Sequence, residues 1–154
     1  MFNTNLFATP PADLEDRLSK WQRLLELRDE LEQLRLAREG LLRRLHQMRH
    51  TLDGQRRESA EIRARTRELI ARITRRLKES PGSTLTPEEE QQIAALDAWR
   101  QRLENEIADM EQQLKVAAFE AESLEASLNE VQQQVDQLAA EMGESVSSSQ
   151  PKGH

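Results

Sequence analysis

Apolar residues recur along most of this chain at alternating spacings of three and four. In heptads counted from Leu24, eleven of the sixteen a and d positions up to Arg76 are apolar. In heptads counted from Ile93, fourteen of the fifteen such positions up to Met142 are apolar. A repeat of about 3.5 residues kept over many heptads is typical of helices wound into a left-handed coiled coil. The pattern therefore predicts two long helices, each with one apolar seam.

The strong break between the two patterns lies at residues 80–87, with the sequence Ser-Pro-Gly-Ser-Thr-Leu-Thr-Pro. Thr86 is suited to cap a helix, Pro87 to occupy its first position, and Glu89 to complete a capping box. Gly143 is suited to end this second helix. Because the turn is so short, the two helices are predicted to lie side by side and antiparallel.

The sequence thus predicts an all-α fold, a long antiparallel two-helix coiled-coil hairpin with disordered termini. The C-terminal tail is rich in serine and contains a late proline and glycine, a composition typical of disorder. The predicted segments are a flexible N-terminal tail at 1–10, a hairpin over 11–142 and a disordered tail at 143–154. Within the hairpin, helix 1 covers about 11–79, the turn 80–86 and helix 2 about 87–142.

Composition narrows the class of protein. Of the 154 residues, 36% are hydrophobic, 32% are charged and 3% are aromatic, which suits a thin seam better than a thick core. There is no cysteine, so disulfides and thiolate metal sites are excluded. Residues 1–12 carry no basic group and no long apolar stretch, so we expect no signal peptide, and no apolar run comes close to the roughly 20 residues of a membrane span. We therefore predict a soluble, cytoplasmic protein, and 18 Arg against 4 Lys suggest a bacterial origin.

Charge is divided unequally between the two predicted helices. Residues 35–78 contain fourteen basic and five acidic side chains, whereas residues 86–142 contain three basic and fourteen acidic ones. The basic stretch is compatible with nucleic-acid binding, but the two helices are also placed to neutralise each other. At the predicted register, Arg56 lies opposite Glu111 and Arg63 opposite Glu104. A net charge of −6 and the lack of interleaved aromatics favour neutralisation.

The candidate sites for chemistry are weak. His46 and His50 are four residues apart, with Asp53 one turn further, and such spacing can hold a metal ion. The glutamate that comes after the first histidine in zinc proteases is missing, and all three side chains fall at outer heptad positions. No glycine-rich phosphate loop and no nucleophile–base spacing is present. The sequence therefore predicts no enzyme, no metal and no cofactor.

Several large apolar residues lie outside the predicted seams and are candidates for partner contact. They form four groups: Leu14, Leu18 and Trp21 in a segment predicted to extend past the end of helix 2; Leu42, Val116 and Phe119 on the back of the hairpin; Phe2 and Phe7 in the N-terminal tail; and Trp99 near the turn.

The last three of these groups also have a simpler interpretation. The residues on the back of the hairpin could form a dimer face or be scattered surface residues. The tail could be a docking segment or a local hydrophobic staple on helix 1. Near the turn, polar residues replace apolar ones at several seam positions, so this part could be a recognition site or a weakly held end.

In length, periodicity and the central turn at 80–87, residues 12–142 resemble the stalk proteins of flagellar and type III export machines, the FliJ and YscO-type families. The N-terminal tail with Phe2 and Phe7 departs from that pattern. The resemblance implies binding to a ring-shaped export ATPase and to chaperones or the export gate.

We therefore predict a non-enzymatic adaptor or stalk in a macromolecular assembly, in particular a secretion component, that binds other proteins or a second copy of itself. The first alternative is a self-assembling scaffold that uses the segment 14–25. The second is a nucleic-acid or membrane-surface binder that uses the arginine-rich helix 1.

Overall fold

A computed structural model describes the backbone of residues 11–147 and the side chains of residues 13–143. It contains two α-helices, α1 (Pro11–Glu79) and α2 (Pro87–Ser147), and the described residues include no strand. The prediction of an all-α helical hairpin is confirmed. The start and end of α1 and the start of α2 lie where the proline and capping signals placed them.

The capping box at the start of α2 is formed as predicted. The backbone N–H of Thr86 donates a hydrogen bond to Glu89 Oε1 at 2.9 Å, and the backbone N–H of Glu89 donates to Thr86 Oγ1 at 3.1 Å. These two bonds satisfy donors that have no partner within the helix. In the turn, Gly82 has a φ of 89°, a left-handed conformation that glycine adopts without steric cost.

The predicted end of α2 was wrong. We expected the helix to end near residue 142, with Gly143 as its cap, but α2 continues to Ser147. Gly143 does not have the positive φ that a left-handed cap requires. Residues 148–154 of the predicted disordered tail, and the predicted flexible tail at 1–10, lie outside the described residues.

The chain divides into two compact units. Unit 1 comprises the described residues up to Leu41 and from Glu120 onward. Its core is a cluster of leucines from α1 packed against apolar residues of α2, all at predicted a and d positions: Leu24, Leu27, Leu31, Leu128, Val131 and Val135. Within this unit the helices are antiparallel, since Lys20 contacts Glu141 and Arg38 contacts Glu125.

Unit 2 comprises Leu42–Phe119 and contains the turn. Its buried side chains also fall at predicted seam positions: Leu45, Leu52, Ile62, Leu69, Ile73, Leu103 and Ala117. Polar residues interrupt this seam. Thr66 donates its hydroxyl to the carbonyl of Ile62, and Gln55 Oε1 is buried without a hydrogen-bond partner. The left-handed winding of the two helices stays a prediction.

Candidate functional site

Beside the turn, Arg76 holds the two helix ends of unit 2 together. This residue occupies a d position where the seam would otherwise be apolar. Its Nε donates to Glu89 Oε2 at 3.0 Å, and its Nη2 donates to the carbonyl of Thr84 at 3.0 Å and to Glu89 Oε1. The polar seam position is thus explained: one guanidinium binds both the turn and the capping carboxylate.

This contact lowers the pKa of Glu89. The largest cause is the hydrogen bond from Arg76, followed by the one from the backbone N–H of Thr86. A carboxyl with a pKa below its ordinary value of 4.5 stabilises the folded state above that value. The stabilisation is lost as the pH falls through the folded-state pKa.

We therefore expect Glu89→Gln to reduce the melting temperature at pH 7 and to matter less in acid. The measurement is thermal unfolding of both chains, followed by circular dichroism from pH 7 to pH 2.5. The difference in melting temperature should be largest near pH 7 and should shrink well below pH 4.5. A difference that stays constant over this range would show that the ionised Glu89 does not stabilise the fold.

An apolar groove lies on one side of this clamp, and we call it the tip groove. It has a volume of about 440 Å³ and is formed by both helices and the turn. Three large apolar side chains in it are exposed: Ile70 by 53%, Leu85 by 38% and Ile93 by 38%. The other lining residues are Thr66, Leu69, Glu90, Ala94, Leu96, Asp97 and Arg100.

Ile93, which the heptad pattern placed in the seam, is 38% exposed and lines the groove together with the seam residues Leu69 and Leu96. The exposure of Leu85 has a local cause. A residue just before a helix cap often packs on the fourth helical residue as a hydrophobic staple. Here that fourth residue is Glu90, so Leu85 has no apolar partner there. The missing staple was a sequence signal that could have indicated the groove.

Charged groups at the rim of the tip groove are partly paired. Arg100 donates to Asp97 at 2.7 Å and to Glu104 at 2.9 Å, and these bonds raise the pKa of its guanidinium. Glu90 forms no ion pair among the residues whose side chains are described. Neither does the exposed Arg67, which lies on α1 one turn from Ile70. The lining of the groove therefore has an available negative charge on α2, and an available positive charge lies on α1 one turn from Ile70.

Trp99, a predicted contact residue, does not line the tip groove. It faces a second groove, together with Arg65, Glu68 and Arg72. Its indole N–H donates to Glu58 Oε1 at 3.0 Å, and the guanidinium carbon of Arg65 lies 5.6 Å from its ring centroid. Trp99 is thus half-buried and held by its own chain, an arrangement that favours a structural role.

The remaining candidates differ in their surroundings. Leu42, Val116 and Phe119 are exposed, and the last two lie three residues apart on one face of α2. Phe2 and Phe7 lie outside the described residues. Leu14, Leu18 and Trp21 are exposed on α1 in unit 1.

The predicted extension of residues 11–23 past α2 needs correction. Lys20 Nζ lies 3.8 Å from Glu141 Oε2, and Trp21 lines a groove together with Met142. Glu141 and Met142 belong to the predicted helix 2 itself, so Lys20 and Trp21 lie beside α2 and do not extend past it.

Charge pairing between the helices agrees only in part with the prediction. Arg56 contacts Glu111 at 3.8 Å, as expected. The predicted pair between Arg63 and Glu104 is wrong, because Glu104 binds Arg100 on its own helix. Exposed pairs of this kind contribute roughly 0–1 kcal/mol each.

The described part of the chain contains no group of three His, Asp or Glu side chains that could hold a metal ion. In the same part, neither helix is apolar enough over a sufficient length to cross a membrane. No protein-family model, no curated protein and no solved structure matches this chain.

Proposed function

We propose that this chain is a non-catalytic adaptor that binds an amphipathic helix of another protein in the tip groove. The observation that carries the proposal is the groove itself, with Ile70, Leu85 and Ile93 exposed side by side on unit 2. Burying such side chains against a partner stabilises a complex by roughly 25 cal/mol per Å² of apolar surface removed from water.

The dimensions and charges of the groove define the partner helix. Along α2 the groove extends from Glu90 to Arg100, which is about 15 Å of helix. A partner helix of about three turns would fill it with apolar residues at i, i+3 or i+4, and i+7. Arg67 favours an acidic residue on one flank of that helix, and Glu90 favours a basic residue on the other.

The narrower version of this proposal is a stalk in a flagellar or type III export machine. Its support is the resemblance in length, periodicity and central turn. On that version, the partner is a subunit of a ring-shaped ATPase or another export component.

The test is a comparison of two matched variants, Ile70→Lys and Ala71→Lys. Both positions are exposed on the same turn of α1, but only Ile70 lines the groove. Tagged wild type and variants are incubated with native lysate and nuclease, and captured proteins are quantified by mass spectrometry. We expect Ile70→Lys to reduce capture of the partner at least about tenfold, since a lysine in an apolar contact costs more than 1.4 kcal/mol. Ala71→Lys should capture it normally.

Equal melting temperatures of the two variants would show that the hairpin is intact in both. If Ile70→Lys captured the same proteins as wild type in the same amounts, the groove would not be the binding site. Recovery of a ring ATPase that depends on Ile70 would support the export version. Recovery that occurs only when nuclease is left out, and that is lost after the change of Arg56, Arg57 and Arg63 to Gln, would instead favour nucleic-acid binding by α1.

A further inference from the structure

A basic surface lies on α1 in unit 2 and shares no residue with the tip groove. It occupies the b, e and f positions of the heptads between residues 43 and 64, opposite and beside the apolar seam. The other residues at these positions are two histidines, two alanines and Asp53. All of these side chains are exposed. We call this surface the arginine face, and its five arginines are Arg43, Arg49, Arg56, Arg57 and Arg63.

Pairing with α2 leaves most of this positive charge without a partner. Arg56 contacts Glu111 at 3.8 Å. Glu104, the partner that the sequence suggested for Arg63, binds Arg100 at 2.9 Å instead. The neutralisation expected between the helices is therefore incomplete. Four of the five arginines form no ion pair among the residues whose side chains are described: Arg43, Arg49, Arg57 and Arg63.

Most acidic side chains on the same stretch of α1 are held on its other side. Glu58, at a g position, accepts a hydrogen bond from the indole N–H of Trp99 at 3.0 Å. Glu61, at a c position, pairs with Arg65 at 2.7 Å. Asp53 is the sole acid on the arginine face itself. With five arginines and one aspartate, and with the histidines neutral, the face has a net charge of +4.

The arginine face has definite ends. Toward the N terminus, the next residues at the b, e and f positions are Leu42 and then Glu39. Toward the turn, the next are Arg67 and then Ile70 of the tip groove, and these positions hold no acid as far as Lys78. From its first arginine to its last, the face is therefore about 30 Å long, at 1.5 Å per residue.

The side chains of the face select a particular kind of partner. Their apolar members are alanines, so the face lacks the large anchors by which proteins bind one another and by which helices enter a membrane. It has no aromatic ring on which an unpaired base could stack. Guanidinium groups bind phosphate through two parallel hydrogen bonds. A row of phosphates on a double helix satisfies all of these conditions.

We propose that the arginine face binds the phosphate backbone of double-stranded nucleic acid without regard to base sequence. Its length corresponds to about nine base pairs, at 3.4 Å per pair. Contacts to phosphate position a protein on a duplex but do not read its sequence. The tip groove is formed by other residues, so the chain can bind a protein and a duplex at the same time. The proposal therefore goes beyond the binding of a partner helix and does not depend on it.

The test measures binding of the purified full chain to fluorescently labelled DNA and RNA duplexes of about 30 base pairs, by anisotropy, from about 50 to about 200 mM salt. The face variant combines three changes: Arg49→Gln, Arg57→Gln and Arg63→Gln. The control variant combines three changes at c and g positions of the same helix: Arg44→Gln, Arg72→Gln and Arg75→Gln. All six arginines are exposed in unit 2 and have no ion pair among the described residues, so both variants lose the same charge.

Wild type and the control variant should bind at least one of the duplexes, with a logarithmic salt slope of about −4 from four phosphate contacts. The face variant should bind at least about tenfold more weakly at about 50 mM salt, with a slope of about −1. Equal melting temperatures of the two variants would show that both are folded.

Asp53→Asn tests the face in the opposite direction. Removal of the one carboxylate beside the phosphates should strengthen binding about twofold, since like charges repel weakly at this distance in water. Glu68→Gln is its control, because Glu68 is an exposed acid at a c position without an ion pair among the described residues. Glu68→Gln should leave the affinity unchanged. A folding defect cannot imitate the gain, because it would weaken binding.

Four results would overturn the proposal. The first is the absence of binding to either duplex at about 50 mM salt and about 100 µM protein, where contacts to phosphate are strongest. The second is equal weakening in the face and control variants, which would show that net charge alone governs binding. The third is tighter binding to single strands than to duplexes. The fourth is tighter binding to vesicles that contain phosphatidylserine, which would assign the face to a membrane surface.

Discussion

Ile62→Ala is expected to lower the free energy of unfolding by about 2–5 kcal/mol, the range found for large-to-small changes in protein cores. Ile62 is the largest side chain among those less than 2% exposed in the described chain, at 1%. Alanine removes three side-chain carbons and leaves a cavity between the two helices. A core made by only two helices has few neighbouring side chains that can move to fill it. Urea unfolding followed at 222 nm measures the loss as a lower midpoint at an unchanged slope.

The control for this change is Ile70→Ala, on the same helix and eight residues away. Ile70 is 53% exposed, so its truncation leaves no cavity and should change stability by less than about 1 kcal/mol. If the two variants lost the same stability, the buried seam of unit 2 would not be organised around Ile62.

Ala117→Leu is expected to destabilise the protein by about 1–3 kcal/mol through overpacking. Ala117 has no exposed surface, which indicates that α1 and α2 approach closely at this level of unit 2. Three additional carbons can be accommodated only if side chains leave their preferred rotamers or the helices separate. Thermal unfolding followed by circular dichroism measures the effect.

Ala108→Leu is the matched control, since Ala108 is exposed on the same helix. Leucine is nearly as good a helix former as alanine, so this variant should melt close to wild type. An Ala117→Leu protein as stable as the Ala108→Leu protein would mean that the helices are not in close contact there.

Most of the helix boundaries could be predicted because their signals are local. Pro11 and Pro87 occupy first helical positions, and the capping box of Thr86 and Glu89 needs only residues within one turn. The end of α2 could not be predicted in this way. A glycine such as Gly143 is compatible with either a helix or a left-handed cap, and the choice depends on the next residues of the chain and on packing.

The seam was largely predictable from heptad spacing, but the candidate site was not. Heptads treat every turn of a helix alike, whereas the tip groove depends on how α2 leaves the turn. Ile93 and Leu69 both have apolar seam positions and both line the groove, yet Leu69 is buried and Ile93 is 38% exposed. In the same way, the sequence suggested Arg63 as the partner of Glu104. In the structure, Arg100 on the same helix donates a hydrogen bond to that carboxylate instead.

The position of the clamp between Arg76 and Glu89 has a consequence for chain entropy. These residues are separated by 13 positions, whereas Arg35 and Gln132 in unit 1 are separated by 97. Closing the longer loop in an open chain costs roughly 2 kcal/mol more, because the cost grows with the logarithm of loop length. Most of the polar residues in the seam lie in unit 2, where the short connection keeps the two helices at a high effective concentration. The cluster of leucines and valines in unit 1 is far from the turn along the chain, where the covalent connection lowers the entropy cost of bringing the helices together least.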